Sequence, residues 1–182
     1  MAEAPRPLRL FVACELPREV RLALAEWQRR GLESHREVRL NHALHLTLAF
    51  LGDTDPDAVD QLTEVLAAIA WAPACTGVAG SLFLPAHGLR HVVALELSDP
   101  DGALRALQER VSAALVATGL YEAPRRPWLP HVTVARFRRP GKPFSLQNVT
   151  LEEFCAVRMA LYSSSLESTG AVHTPLATFP AS

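Results

Sequence analysis

Leu44-His45-Leu46-Thr47-Leu48-Ala49-Phe50-Leu51 is the stretch that decides the fold, because the chain nearly repeats it. Eighty-six positions on (131 − 45) it reads His131-Val132-Thr133-Val134-Ala135-Arg136-Phe137. His, Thr and Ala recur in register, and the positions between His and Ala are otherwise apolar in both copies. Alternation with period two is the pattern of a half-buried strand, on which residues i and i+2 share a face. Each copy therefore aims a His and a Thr one way and two aliphatics the other. Two such strands, one in each half of the chain, are placed to face each other across a cleft.

The polar face decides between core and cleft. Turning it inward twice would bury four polar side chains, each needing a partner. A wet cleft needs none, and the aliphatic face (Leu46, Leu48, Val132 and Val134) already supplies what a core requires. Two histidines across a cleft form an acid–base pair, since histidine titrates near neutrality. One neutral ring can take a proton from water, and one charged ring can give a proton to a leaving oxygen. The threonine hydroxyls, two residues along, can donate to phosphoryl oxygens. Such a site suits a phosphodiester that carries its own good leaving group, such as a strained cyclic one.

The surroundings of the second copy favour an anionic ligand. Arg125, Arg126, Arg136, Arg138, Arg139 and Lys142 fall in one stretch with no acid among them, in a chain whose net charge is only −1. Trp128 lies within it and has two readings, stacked on a base or packed in the core. Arg136 is the best placed of the cations, but strict alternation sets it on the face away from His131, so a contact with phosphate needs the strand to end or twist there.

Around the two motifs the chain reads as one domain of two lobes over residues 1–182, with 49% apolar residues to build a core. Leu8–Glu15 is a strand. Helices follow Pro17, Asp55-Pro56 and Asp99-Pro100, with stripes Leu16/Val20/Leu24/Trp27, Val59/Leu62/Leu66/Ile69 and Leu104/Leu107/Val111/Leu115. Further strands are expected at Ser81–Leu84, His91–Leu97 and Phe154–Ser163, with an edge strand at Ala171–Phe179 interrupted by Pro175. Gly52 is read as ending the His45 strand, 73–80 as irregular and Pro140–Pro143 as a turn. Short turns between neighbouring strands favour α+β with antiparallel sheet. Cys14, Cys75 and Cys155 have no metal or redox spacing and read as separate buried thiols in a reducing compartment. The start is no signal peptide, and no segment reaches the length of a membrane span, so a soluble cytoplasmic protein with no membrane partner is expected.

Two His-x-Thr-x motifs in one small α+β chain resemble the 2H phosphoesterase superfamily, and within it the RNA 2′,3′-cyclic phosphodiesterases, also called 2′-5′ RNA ligases. The resemblance extends to Arg9-Leu10-Phe11-Val12-Ala13 with Leu16-Pro17, to Gly52 after the first motif, to Pro130 and Arg136 around the second, and to Ser164-Ser165-Leu166 with Gly170. It implies two pseudo-twofold-related lobes, each an antiparallel sheet with helices outside, flanking a central cleft. It also implies that a terminal RNA 2′,3′-cyclic phosphate is opened to a 2′-phosphate, with 2′-5′ joining as the reverse. His45 would be the proton donor and His131 the proton acceptor, Thr47 and Thr133 would hold the phosphate, and Arg136 would bind substrate. No metal and no cofactor is implied, and a monomer is expected. A non-catalytic module binding RNA ends or nucleotides is the competing reading, as is a phosphodiesterase for small cyclic nucleotides such as ADP-ribose cyclic phosphate. The chain departs from the family pattern in a short approach, Arg39-Leu40-Asn41-His42-Ala43, and in His173 where Tyr is frequent. Both bear on contacts at the cleft edge.

Overall fold

A computed structural model describes residues 6–167 and 170–182. The elements run β1 (Leu8–Glu15), α1 (Arg18–Gly31), β2 (Val38–Leu40), β3 (His45–Thr54), a 3₁₀ turn (Pro56–Ala58), α2 (Val59–Ala67), β4 (Ala74–Thr76), β5 (Val78–Leu84), β6 (Arg90–Leu97), α3 (Ala103–Ala117), β7 (His131–Gly141), β8 (Phe154–Ala156), β9 (Arg158–Glu167) and β10 (Gly170–Pro180). The expected stripes are the buried ones: Val20, Leu24 and Trp27 on α1, Leu62 and Leu66 on α2, and Leu104, Leu107, Val111 and Leu115 on α3. They share one core with Leu46, Leu48, Val132 and Val134 of the two motif strands. The helices thus cover one face of the sheet, and the His-x-Thr face is left for the cleft.

Local chemistry sets the helix starts. The Asp55 carboxylate accepts from the Asp57 N–H at 3.0 Å, and Pro56 follows it. Asp99 takes the Leu104 and Arg105 N–H groups at 2.9 and 3.0 Å, so its side chain caps α3 although the helix starts at Ala103. Both are ordinary N-terminal capping by a short carboxylate.

The two lobes are joined in one sheet of order β10-β9-β1-β3-β7-β6-β5, with β2 also on β7. All of its pairings are antiparallel. The junction is a single rung, Leu46 beside Val132. Carried one residue either way, that register sets His45 beside Thr133 and Thr47 beside His131.

Four boundaries differ from the sequence reading. Gly52 does not end β3, because at φ +77 it lets the strand turn and continue to Thr54. Residues 73–80 are not irregular, since Ala74–Thr76 pairs with Phe154–Ala156 and β5 begins at Val78. That pairing divides the expected strand at Phe154–Ser163, with exposed Val157 as the joint. Pro140-Gly141 closes β7 rather than forming a separate turn, with Gly141 paired to Arg90. Pro175 sits on edge strand β10, and the register shift there absorbs its missing donor.

The cysteine reading is corrected as well. Cys75 and Cys155 lie directly opposite each other on β4 and β8 and form a disulfide. Spacing could not find this pair, because 80 residues separate its members and only the sheet brings them together. Cys14 alone is a buried free thiol, and burial pushes its pKa up to about 12.

Candidate active site

The fourth position of each motif is a β-bulge. On β3, Thr47 pairs with Ala13 and Ala49 with Val12, which leaves Leu48 extra. On β7, Thr133 pairs with Ala94 and Ala135 with Val93, which leaves Val134 extra. A bulge inserts one residue and reverses the alternation beyond it. Position five after each histidine therefore returns to the cleft face. That places Arg136 with His131 and Phe50 with His45, and it supplies the twist that strict alternation lacked.

Side chains from the helices hold these bulges. Gln28 of α1, only 1% exposed, donates Nε2–H to the Val134 carbonyl at 2.6 Å and to the Asn41 carbonyl at 2.8 Å. Gln108 of α3 donates to the Leu48 carbonyl at 3.3 Å. Each glutamine thus reaches the motif of the opposite lobe. The approach segments do the same one residue earlier. Asn41 donates to the Thr133 carbonyl at 2.8 Å, and the Trp128 indole N–H donates to the Thr47 carbonyl at 3.0 Å. Between β3 and β7, where the ladder has one rung, side chains complete the carbonyl pairing that strands otherwise provide.

The His131 imidazole is oriented by its own chain. His131 Nδ1 lies 2.8 Å from the Leu129 carbonyl, so it must donate, and the bare nitrogen of the neutral ring is Nε2. At His45 the backbone of Ala43, likewise two residues before it, favours the charged ring. Both rings, Thr47 and Thr133 are half-buried, and among the described residues neither threonine hydroxyl is engaged.

Beyond these positions the two halves of the cleft diverge. On the His45 side, buried Phe11 has its ring 5.0 Å from His45, stacks on Tyr162 at 5.1 Å and meets the edge of His173 at 4.8 Å. The Tyr162 hydroxyl donates to Glu15 at 3.1 Å. On the His131 side, Arg136 stands directly across from Arg39 on β2. The cleft is aromatic on one flank and cationic on the other.

This asymmetry appears in the protonation of His45. Burial, then the neighbouring His173, pushes its pKa down to about 4 against an opposing pull from the Ala43 backbone, and Arg136 and His131 lower it by smaller amounts. His173 is lowered by burial and by Arg136. Arg136 itself is lowered by burial, Arg39 and Arg9. Arg136 is thus within electrostatic reach of His45 and His173, and feels the charges of Arg39 and Arg9.

All five residues expected in the site, His45, Thr47, His131, Thr133 and Arg136, are brought to one face. Trp128 is not available to stack on a base in the cleft, because it packs against the core and its N–H is spent on Thr47. Arg125, Arg126, Arg139 and Lys142 are solvated or at the rim. Sequence reasoning missed Phe11, Tyr162 and Arg39 as parts of the site. Their periodicity is that of any sheet residue, and only cross-strand register brings them in.

The family model for the 2′-5′ RNA ligase superfamily matches residues 16–161. An RNA 2′,3′-cyclic phosphodiesterase of Thermus thermophilus is 33% identical over 94% of this chain and 89% of its own length. One from Geobacillus stearothermophilus is 30% identical over 93% of this chain, which spans only 56% of that protein. The crystal structure of TT0787 of Thermus thermophilus superposes with a TM-score of 0.81 and 31% identity, covering 95% of this chain and 97% of that one. The bulged, paired His-x-Thr strands and this likeness define a two-histidine phosphoesterase fold. The chain belongs to the 2′-5′ RNA ligase superfamily.

Proposed function

We propose that the chain is an RNA 2′,3′-cyclic phosphodiesterase that opens a terminal cyclic phosphate to a 2′-phosphate. The observation that carries this reading is the pair of imidazoles held on one face, each strand bulged after its His-x-Thr. His131 Nε2 takes a proton from water as the water oxygen attacks phosphorus. The bond from phosphorus to the 3′-oxygen breaks, and His45 delivers its proton to that oxygen. The products are a 2′-phosphate and a 3′-hydroxyl. The hydroxyls of Thr47 and Thr133 donate to the non-bridging oxygens, and Arg136 offsets their charge. By itself the cleft holds His45 neutral near pH 7. A bound phosphate anion favours its charged form, so the substrate itself readies the acid. With a 5′-hydroxyl in place of water as the attacking group, the same opening of the cyclic phosphate, with the 3′-oxygen leaving, joins two RNA ends through a 2′-5′ linkage.

Side chains take up and deliver every proton that moves in this scheme, so turnover is expected to persist in EDTA. The reading includes a monomer in the cytoplasm, where the Cys75–Cys155 bridge would face reduction. Among the described residues no helix is long and apolar enough to cross a membrane. The deciding assay gives the protein a defined RNA ending in a 2′,3′-cyclic phosphate and identifies the product. A 2′-phosphate is expected. A 3′-phosphate, or tight binding with no turnover, rejects the reading in favour of a different mechanism or a binding module.

A further inference from the structure

Arg39 and Arg136 are cross-strand partners on β2 and β7. Like charges directly opposite on neighbouring strands repel, and Arg9 adds a third positive charge felt by Arg136. Among the described residues no carboxylate lies within ion-pair distance of any of the three. A small cavity of about 90 Å³ opens beside the pair, walled by Arg39, Leu40, Asn41, His42, Ala43, Arg136 and, from β10, Ala171. The Asn41 side-chain amide is already occupied, donating to the Ala43 and Thr133 carbonyls at 3.2 and 2.8 Å. The polar groups left facing this space are therefore the two guanidiniums and His42, all exposed. Uncompensated cations around a recess next to the reacting centre call for an anion that the protein does not contain.

We propose that Arg39 and Arg136, with His42, form a second phosphate subsite, which takes the phosphate on the 5′ side of the nucleotide that carries the reacting group. The assignment rests on the phosphodiesterase reading for its direction: the reacting phosphate is at the 3′ end of a strand, so any other phosphate lies 5′ to it. The ligand chemistry is a phosphate ester, either the internucleotide diester of an oligoribonucleotide or the 5′-monoester of a single nucleotide. Arg136 then spans the two phosphates, and Arg39 serves only the second.

Calorimetry on the whole chain tests this without turnover. Adenosine 3′-phosphate, adenosine 3′,5′-bisphosphate and the dinucleotide ApAp, which ends in a 3′-phosphate, are titrated into the wild type, Arg39→Gln and Arg39→Lys. The wild type is expected to bind the ligands with a second phosphate about tenfold more tightly at low salt, and salt should shrink the preference. Arg39→Gln should bring the ratio close to one, and Arg39→Lys should keep part of it. A gain limited to the bisphosphate identifies a terminal monoester as the ligand, and an equal gain for ApAp identifies the RNA backbone. A wild-type ratio of one, or a ratio that Arg39→Gln leaves intact, overturns the subsite. Hydrolysis of adenosine 2′,3′-cyclic phosphate is followed separately: its absence counts against the phosphodiesterase reading, while the binding ratios still decide the subsite.

Discussion

The Trp128 indole N–H donates to the main-chain carbonyl of Thr47, 3.0 Å away and in the other half of the chain. Asn41 makes the mirror contact to Thr133. Each His-x-Thr strand is thus held by the segment leading into its partner. Trp128→Phe keeps most of the ring and removes the donor, leaving a part-buried carbonyl unpaired. We expect a loss of about 1–3 kcal/mol in denaturant unfolding and a fall in kcat larger than any rise in KM. Unchanged stability and kcat in this variant and in Asn41→Ala would show that the contacts position nothing.

Gln28 and the Asn41 main-chain N–H both donate to the Val134 carbonyl at the bulge, and the bulge brings Arg136 to the cleft. Gln28→Leu fills similar space but leaves the Val134 carbonyl without its side-chain donor and the Asn41 carbonyl without this partner. A cost of about 1–3 kcal/mol is expected, together with weaker binding of phosphate-bearing nucleotides. A variant as stable as the wild type with the same affinity would remove the bulge from the account.

His45 gives a pH signature. Its folded-state pKa, about 4, lies below the ordinary 6.5. Between these values the unfolded chain holds a proton that the folded one does not, so this group's contribution to stability falls as pH drops from about 6.5 to about 4. NMR titration of the ligand-free protein should place the His45 midpoint near the lower value, and inorganic phosphate should raise it. A midpoint at or above 6.5 without ligand would contradict the burial and charge arguments.

The Cys75–Cys155 bridge closes 80 residues of chain. Reduction should lower stability by about 2–4 kcal/mol and leave cyclic-phosphate turnover unchanged, because the β4–β8 ribbon is separate from the sheet that carries the cleft. Equal melting of oxidised and reduced protein, or loss of activity on reduction, goes against this.

How much of this could be read from the chain follows from the range of each interaction. The two motifs, the three helical stripes and the α+β class are local patterns of period two or 3.6, and those were legible. The Leu48 and Val134 bulges were not, because a bulge is fixed by the partner strand, and nothing local marks those aliphatics as extra. Strict alternation therefore misdirects Arg136, and the extra Val134 returns it to the cleft. The disulfide, the Phe11–Tyr162 stack and the Arg39–Arg136 pair are long-range matters of register. Trp128 was legible only as a choice between base and core, and its N–H, spent on Thr47, settles it for the core side.

The central claim is that His45 and His131 together perform the proton transfers. The most direct test measures hydrolysis of an RNA ending in a 2′,3′-cyclic phosphate by the wild type, His45→Ala and His131→Ala in EDTA, with folding checked by circular dichroism. Each substitution should cost about 10²–10⁴ in kcat while the protein stays folded. Either variant turning over at the wild-type rate would contradict the account.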